Sequence, residues 1–360
     1  MQTRRGLVLG VGLLPLLVAE PASAQIPAVP QGRLEVRTST SGPAVGVQFE
    51  ALHVGVAEYA EGPTGVTVLY FPSRAVAAVD VRGGSPGTSG TDALRLGYDA
   101  PSVDAVVLAG GSSYGLEAAE GVRAELIASG RRDASRFNIA TVLGAIIYDF
   151  PYRANSIYPD KELGRAALRA ARPRRFPIGA QGAGRSASVG KYFGYMFGEQ
   201  AGQGAAFRQV GATKIAVFAV VNALGVIVDR QGRVVRGNRD PESGVRTSIT
   251  EDLLSGAAAR KRELDQRRAR TARPSGSGGN TTLTVVVTNQ KLTYAELQRL
   301  AVQTHTSMAR GLQPFQTRRD GDVLFALSTA EIENTALNAD DIATFASELA
   351  WDAVLASVPP

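Results

Sequence analysis

Residues 278–288 read GGNTTLTVVVT. From Thr282 to Thr288 every residue except Leu283 is β-branched, the side-chain chemistry of a buried strand. What precedes has no apolar face: residues 259–280, ARKRELDQRRARTARPSGSGGN, open as a charged helix and end as a Pro, Ser and Gly linker. A flexible basic linker over 259–280 therefore runs, without an adaptor, into what reads as a core strand. A Thr freed at the start of such a strand carries a hydroxyl nucleophile and an α-amine base on one residue. The ordinary amine pKa of about 7.7 to 8 lets it take a proton near neutrality without a histidine. Thr281 occupies that position, and Gly278-Gly279 leave the backbone free to bring its hydroxyl onto the carbonyl of Asn280.

Outward from this stretch, Val- and Leu-rich runs ending in Gly or Pro predict strands at 65–71, 75–81, 103–109 and 139–147. Leu116, Ala119, Val122, Leu126 and Ile127 recur at helical spacing over 114–129. The run 214–229 reads as a hairpin bent at Ala223-Leu224-Gly225, and 323–328 as a further strand. Thr293 with Glu296 makes a capping box for a helix ending near Gly311. A last helix spans 341–358 with Ile342, Phe345, Leu349 and Val354 inward. Strands interleaved with helices, without an internal repeat, make a layered α/β or α+β domain.

The 360 residues carry 39 basic and 33 acidic side chains, a net charge of +6. Cysteine is absent, which excludes disulfides, thiolate nucleophiles and zinc–sulfur or iron–sulfur sites. Arg4-Arg5, an apolar run from Gly6 to Ala19 and the small-x-small string before Gln25 read as a signal peptide over 1–24, too short to span a bilayer. Thr3 to Leu7 also loosely fits a twin-arginine signal. Export to the periplasm or beyond the cell is thus expected, with no membrane association after the leader is removed. His53 and His305 are the two histidines, and without a carboxylate cluster they make neither a metal site nor a Ser-His-Asp triad. The Gly83–Gly87 and Gly182–Arg185 loops match neither phosphate-binding fingerprint, so no cofactor is expected. Seven basic and two acidic residues in 259–274 concentrate the excess charge on the linker, which argues against a nucleic-acid-binding face. The last 80 residues hold five basic and nine acidic side chains, opposite in sign to the rest.

Eight strings occur in the order found in one family: His53–Ala57, Gly65–Val68, Leu108–Leu116, Ile146–Phe150, Ser188–Lys191, Val220–Gly225, Gly279–Leu283 and Asp320–Asp322. Over roughly residues 45 to 330 the chain resembles the DmpA-type and β-peptidyl aminopeptidases, self-processing N-terminal-nucleophile hydrolases with an αββα sandwich. Asn280-Thr281 and the Asp-Asp pair are similar to the nylon-oligomer (6-aminohexanoate oligomer) hydrolase branch. The resemblance implies self-cleavage between Asn280 and Thr281, giving an alpha piece, 25–280, and a beta piece, 281–360, of one domain. It implies Thr281 as nucleophile, Asn222 as amide donor to the oxyanion, and Tyr148 as a donor to the developing charge. Lys191 would be the cation holding the site together, and Asp320 with Asp322 would hold the new ammonium and the hydroxyl. Gly110, Gly111 and Ser112 would place backbone close to the substrate. It further implies an aminopeptidase or linear amide-oligomer hydrolase and a homo-oligomer, a tetramer of αβ units. The contrasting expectation is a catalytically silent secreted binding or scaffold protein on the same fold.

Overall fold

The computed structural model describes residues 34–38, 41–95, 101–153, 155–271, 279–333 and 336–358. The expected leader, 1–24, and the linker residues 272–278 lie outside them. The principal elements are β1 (His53–Tyr59), β2 (Thr64–Val81), β3 (Ser102–Ala109), α1 (Glu117–Ala128), β4 (Val142–Ile146), α2 (Lys161–Ala170), β5 (Gln203–Val210), β6 (Thr213–Asn222), β7 (Val226–Val228), α3 (Ile249–Leu254), α4 (Ala257–Thr271), β8 (Thr281–Gln290), α5 (Tyr294–Ser307), β9 (Val323–Ile332) and α6 (Ala339–Ala356).

The two strands expected at 65–71 and 75–81 are one bent strand, β2. Its first half pairs with β1 and β3 and its second with β9, with a break in register between Tyr70 and Ala75. Because β2 belongs to both, the path β5-β6-β8-β9-β2-β3-β4 folds into two facing half-sheets. Alternation along each strand then sorts the side chains. Phe218, Leu283, Val285, Val287 and Phe325 meet Leu69, Val106, Leu108 and Leu143 in one core between the halves. Val217, Val286 and Ala326 face the opposite way, onto α5 and α6. Val66, Val68 and Val107 face α1 and α2. The layering is helix, sheet, sheet, helix, as the αββα expectation had it.

The hairpin expected over 214–229 does not form. β6 stays in the large sheet, whereas β7 pairs with residues 234–236 and with Leu312–Gln313 in a separate small sheet. The chain leaves at Gly225, where a Cβ would lie 2.2 Å from the Pro314 carbonyl oxygen, so no side chain fits against the 313–314 backbone as the chain turns into β7.

The segment expected as a flexible linker from 259 is helical to Thr271, and a buried lysine anchors it to the body. Lys261 Nζ donates to Asp252 Oδ2 (2.5 Å), Asn238 Oδ1 (3.1 Å) and Thr247 Oγ1 (3.2 Å), with its ammonium over the rings of Phe193 and Phe197. Asn238 N–H in turn donates to the Gly190 carbonyl, one residue from Lys191. A buried pair that loses one partner leaves the other charge desolvated, at a cost of about 3 to 5 kcal/mol. Lys261→Ala is therefore expected to release α4: limited trypsin digestion should cut the variant at Arg260, Arg262 and Arg267 before any other site. Wild-type digestion rates in the variant would contradict the anchoring.

Candidate active site

β6 and β8 run antiparallel with Asn222 opposite Thr281. Both continue the inward parity of Val220 and Leu283, so their side chains enter the end of the sandwich between the half-sheets. The parallel pairing of β8 with β9 extends one bridge beyond the strand, to Asn280 and Asp320. Through it Gly321 N–H donates to the Asn280 carbonyl oxygen at 2.7 Å. The Thr281 hydroxyl donates to that same oxygen at 2.5 Å. Gly279 has φ +95° with its backbone against the Tyr148 ring, where a Cβ would overlap the ring carbons. No residue with a side chain can precede Asn280 in this geometry.

Asn222 is oriented from behind. Its Oδ1 accepts from Lys191 Nζ at 2.9 Å and from Ser188 N–H at 3.0 Å, which turns its Nδ2 outward to donate to the carbonyls of Tyr148 (3.0 Å) and Gly279 (3.3 Å). The expected oxyanion donor thus sits one peptide upstream of the Asn280 carbonyl, and the donor on that carbonyl is Gly321, which the residue types did not single out. Lys191 also donates to the Asn222 carbonyl at 3.1 Å. Burial drives its pKa down to about 7, against the opposing pull of Asp320 and Asp149.

Asp320 accepts from Leu224 N–H (3.1 Å), Thr317 N–H (3.1 Å) and the Thr317 hydroxyl (2.5 Å). Asp322 accepts from Thr282 N–H (2.6 Å) and Gln316 N–H (3.0 Å). Both carboxylates hold backbone around Thr281; neither hydrogen-bonds its hydroxyl. Burial, followed by the Asp320 charge, pushes the Asp322 carboxyl above its ordinary range. Gly321 between them is confined: a Cβ would lie 2.7 Å from Thr281 Oγ1 and 2.6 Å from the Ser85 carbonyl oxygen.

Gly110, Gly111 and Ser112 join the cluster through Asp149, the neighbour of Tyr148. Asp149 accepts from Gly111 N–H (2.8 Å) and the Thr64 hydroxyl (2.9 Å), and pairs with buried Arg153 at 2.7 Å. The loop needs this support because Gly111 and Ser112 stand at φ +80° and +54°, costly for a serine. Asp149 lay inside the Ile146–Phe150 string, and Arg153 is four residues on, but Gly111 and Thr64 come from 38 and 85 residues away, beyond any local pattern. The histidines are structural: His305 is buried on Asp80 at 2.8 Å, and His53 lies edge-on to Tyr70. Among the described residues no group of three or more His, Asp and Glu is placed to hold a metal ion, and no helix is long and apolar enough to cross a membrane.

A cavity of about 260 Å³ reaches the site, lined by Lys191, Asn280, Leu224, Tyr192–Tyr195, Arg319 and, from α4, Arg262 and Asp265. The arrangement presents a hydroxyl, a peptide carbonyl held by a backbone donor, a buried amine and a carboxylic acid, the parts of an acyl transfer to oxygen.

The model of peptidase family S58 matches residues 45–358. A 6-aminohexanoate-oligomer endohydrolase of Paenarthrobacter ureafaciens is 44% identical over 317 residues, 85% of this chain and 84% of its own. An uncharacterised aminopeptidase of Mycobacterium bovis is 35% identical, over 74% of each chain. Among solved structures, the L-aminopeptidase D-Ala-esterase/amidase of Ochrobactrum anthropi, described as a variant of the Ntn hydrolase fold, superposes with a TM-score of 0.60 at 16% identity, covering 89% of this chain and 88% of that one.

Two predictions follow from the geometry. Gly321→Ala forces a methyl group against the Thr281 hydroxyl, and the folded variant should lack any cleavage at Asn280–Thr281 that wild-type protein shows on denaturing gels. Asp320→Asn removes a charge that raises both Asp322 and Lys191, so the pH limb of any cleavage or hydrolysis at Thr281 should move to lower pH. A limb that stays, or rises, would contradict that coupling.

Proposed function

Since the chain belongs to peptidase family S58 and is a hydrolase of amide bonds, we propose that it cuts itself between Asn280 and Thr281 and then, through Thr281, hydrolyses linear amide oligomers of the 6-aminohexanoate kind. The observation that carries this reading is the Asn280 carbonyl, which accepts from both the Thr281 hydroxyl and Gly321 N–H.

In the precursor the Thr281 oxygen adds to the Asn280 carbonyl carbon, and Gly321 N–H stabilises the oxygen as it becomes an anion. The Thr281 nitrogen leaves with a proton, so the peptide becomes an ester, and water then releases the Asn280 carboxylate, the hydroxyl and a free α-amine. Departure of the Gly279–Asn280 segment frees Asn222 Nδ2 from the Gly279 carbonyl, and this fixed donor then faces the carbonyl oxygen of the incoming substrate. The α-amine takes the hydroxyl proton during attack and returns it to the leaving amine. Water attacks the resulting ester and regenerates Thr281.

The choice of amide oligomers over short peptides rests on the 44% identical endohydrolase and on the Asn280-Thr281 and Asp320–Asp322 strings. Export with removal of residues 1–24, and assembly of αβ units into a tetramer, belong to the same reading. The exposed apolar Ile127, Phe137 and Ile139 support burial against another copy.

Thr281→Ala should remain one chain and hydrolyse no oligomer, whereas Thr281→Ser should retain both reactions because the hydroxyl is kept. In processed Asn222→Ala, kcat on an oligomer should fall about 10² to 10³-fold, the usual loss for one oxyanion donor. Full oligomer turnover by Thr281→Ala would overturn the assignment.

A further inference from the structure

The cavity at Lys191 and Asn280 does not end there. Tyr192, Leu224 and Arg319 also line a second, larger cavity of about 580 Å³, whose other walls are Ile249 and Leu253 of α3 and the 313–318 segment. The two therefore form one groove with its inner end at the bond before Thr281. The outer compartment, at about 580 Å³, falls in the size range of cavities that enclose drug-sized ligands. Its floor is tied to Asp320 beside the Asn280–Thr281 bond, since Leu224 N–H and Thr317 N–H both donate to that carboxylate.

The walls of the outer compartment alternate in character. Leu224, Ile249, Leu253 and Pro314 are apolar, and Ser248, Thr250 and Gln313 stand among them. Leu253 is 46% exposed, a large apolar side chain left at the groove's lip. Charge along the groove is mostly of one sign: Lys191, Arg262, Arg318 and Arg319 against Asp265. A terminal ammonium entering it would meet net repulsion. An uncharged run of methylenes punctuated by amides would meet apolar walls and hydrogen-bonding groups at intervals.

Resting on the proposed oligomer hydrolysis, we propose that this outer compartment, with Leu253 at its lip, is a subsite that holds further units of an extended amide chain. The groove's continuity with the bond before Thr281 selects the substrate chain over a second copy of the protein as its occupant.

The test is kcat/KM of the processed enzyme on 6-aminohexanoate oligomers from dimer to hexamer, with the amine free and with it acetylated. Values should rise about tenfold with length as further methylenes leave water, and acetylation should leave long oligomers unimpaired. Leu253→Asp should remove most of that rise while leaving the dimer within about twofold of wild type, and Leu253→Ala should lie between. A flat wild-type profile, or a Leu253→Asp loss equal at every length, overturns the subsite and leaves the oligomer hydrolase standing. Hydrolysis of no oligomer at any length overturns both. An unchanged length profile in Leu253→Asp, with dissociation into smaller assemblies, gives this face to a second copy and overturns the subsite.

Discussion

One backbone hydrogen bond organises the reactive end of this molecule: Gly321 N–H on the Asn280 carbonyl oxygen. It is the last rung of the parallel ladder between β8 and β9, carried one residue past the strand onto the bond before Thr281. A ladder normally holds a carbonyl at rest. Here the same donor polarises that carbonyl and withdraws charge from the carbon beside the Thr281 hydroxyl. The requirement propagates outward. Asp320 and Asp322 flank the donor and hold Leu224, Thr317, Thr282 and Gln316 by their backbones, and Gly321 has no room for a side chain.

The second constraint is electrostatic. Lys191 is buried where water cannot stabilise an ammonium, and this lowers its pKa to about 7. It is held by both oxygens of Asn222 while Asp320 and Asp149 supply the counter-charge. Lys191 fixes which end of the Asn222 amide faces the reacting peptide. The rigid unit is thus β6, the 188–191 turn and the Asp149 loop together, with Lys261 bracing the turn through Asn238.

Much of this was legible from residue types. The β-branched run after Thr281 is a strand buried along its whole length, and alternation divides it between two cores. Thr293 and Glu296 form the capping box their spacing announced. The hairpin at 223–225 failed because Asn and Gly at a bend say where a chain turns, while the partner strand is chosen by Leu312–Gln313, nearly ninety residues away. Gly321 escaped notice for a similar reason: Asp-Gly-Asp reads as turn chemistry, and only the ladder reveals which carbonyl its N–H meets. In ARKRELDQRRAR, nothing local distinguishes buried Lys261 from its solvated neighbours, since the pocket that receives it comes from residues 193, 197, 238, 247 and 252. The resemblance to self-processing hydrolases brought Thr281, Asn222, Lys191 and the two aspartates together in advance. Asn222 differs only in that its donor rests one peptide upstream while the chain is intact.

Intact-mass measurement on freshly folded protein followed over time tests the central claim most directly. The account predicts that the single chain gives way to two species, one of them the 80 residues beginning at Thr281, with no other internal cut. A chain that stays whole while folded and aged, or one that breaks at a bond other than Asn280–Thr281, would contradict it.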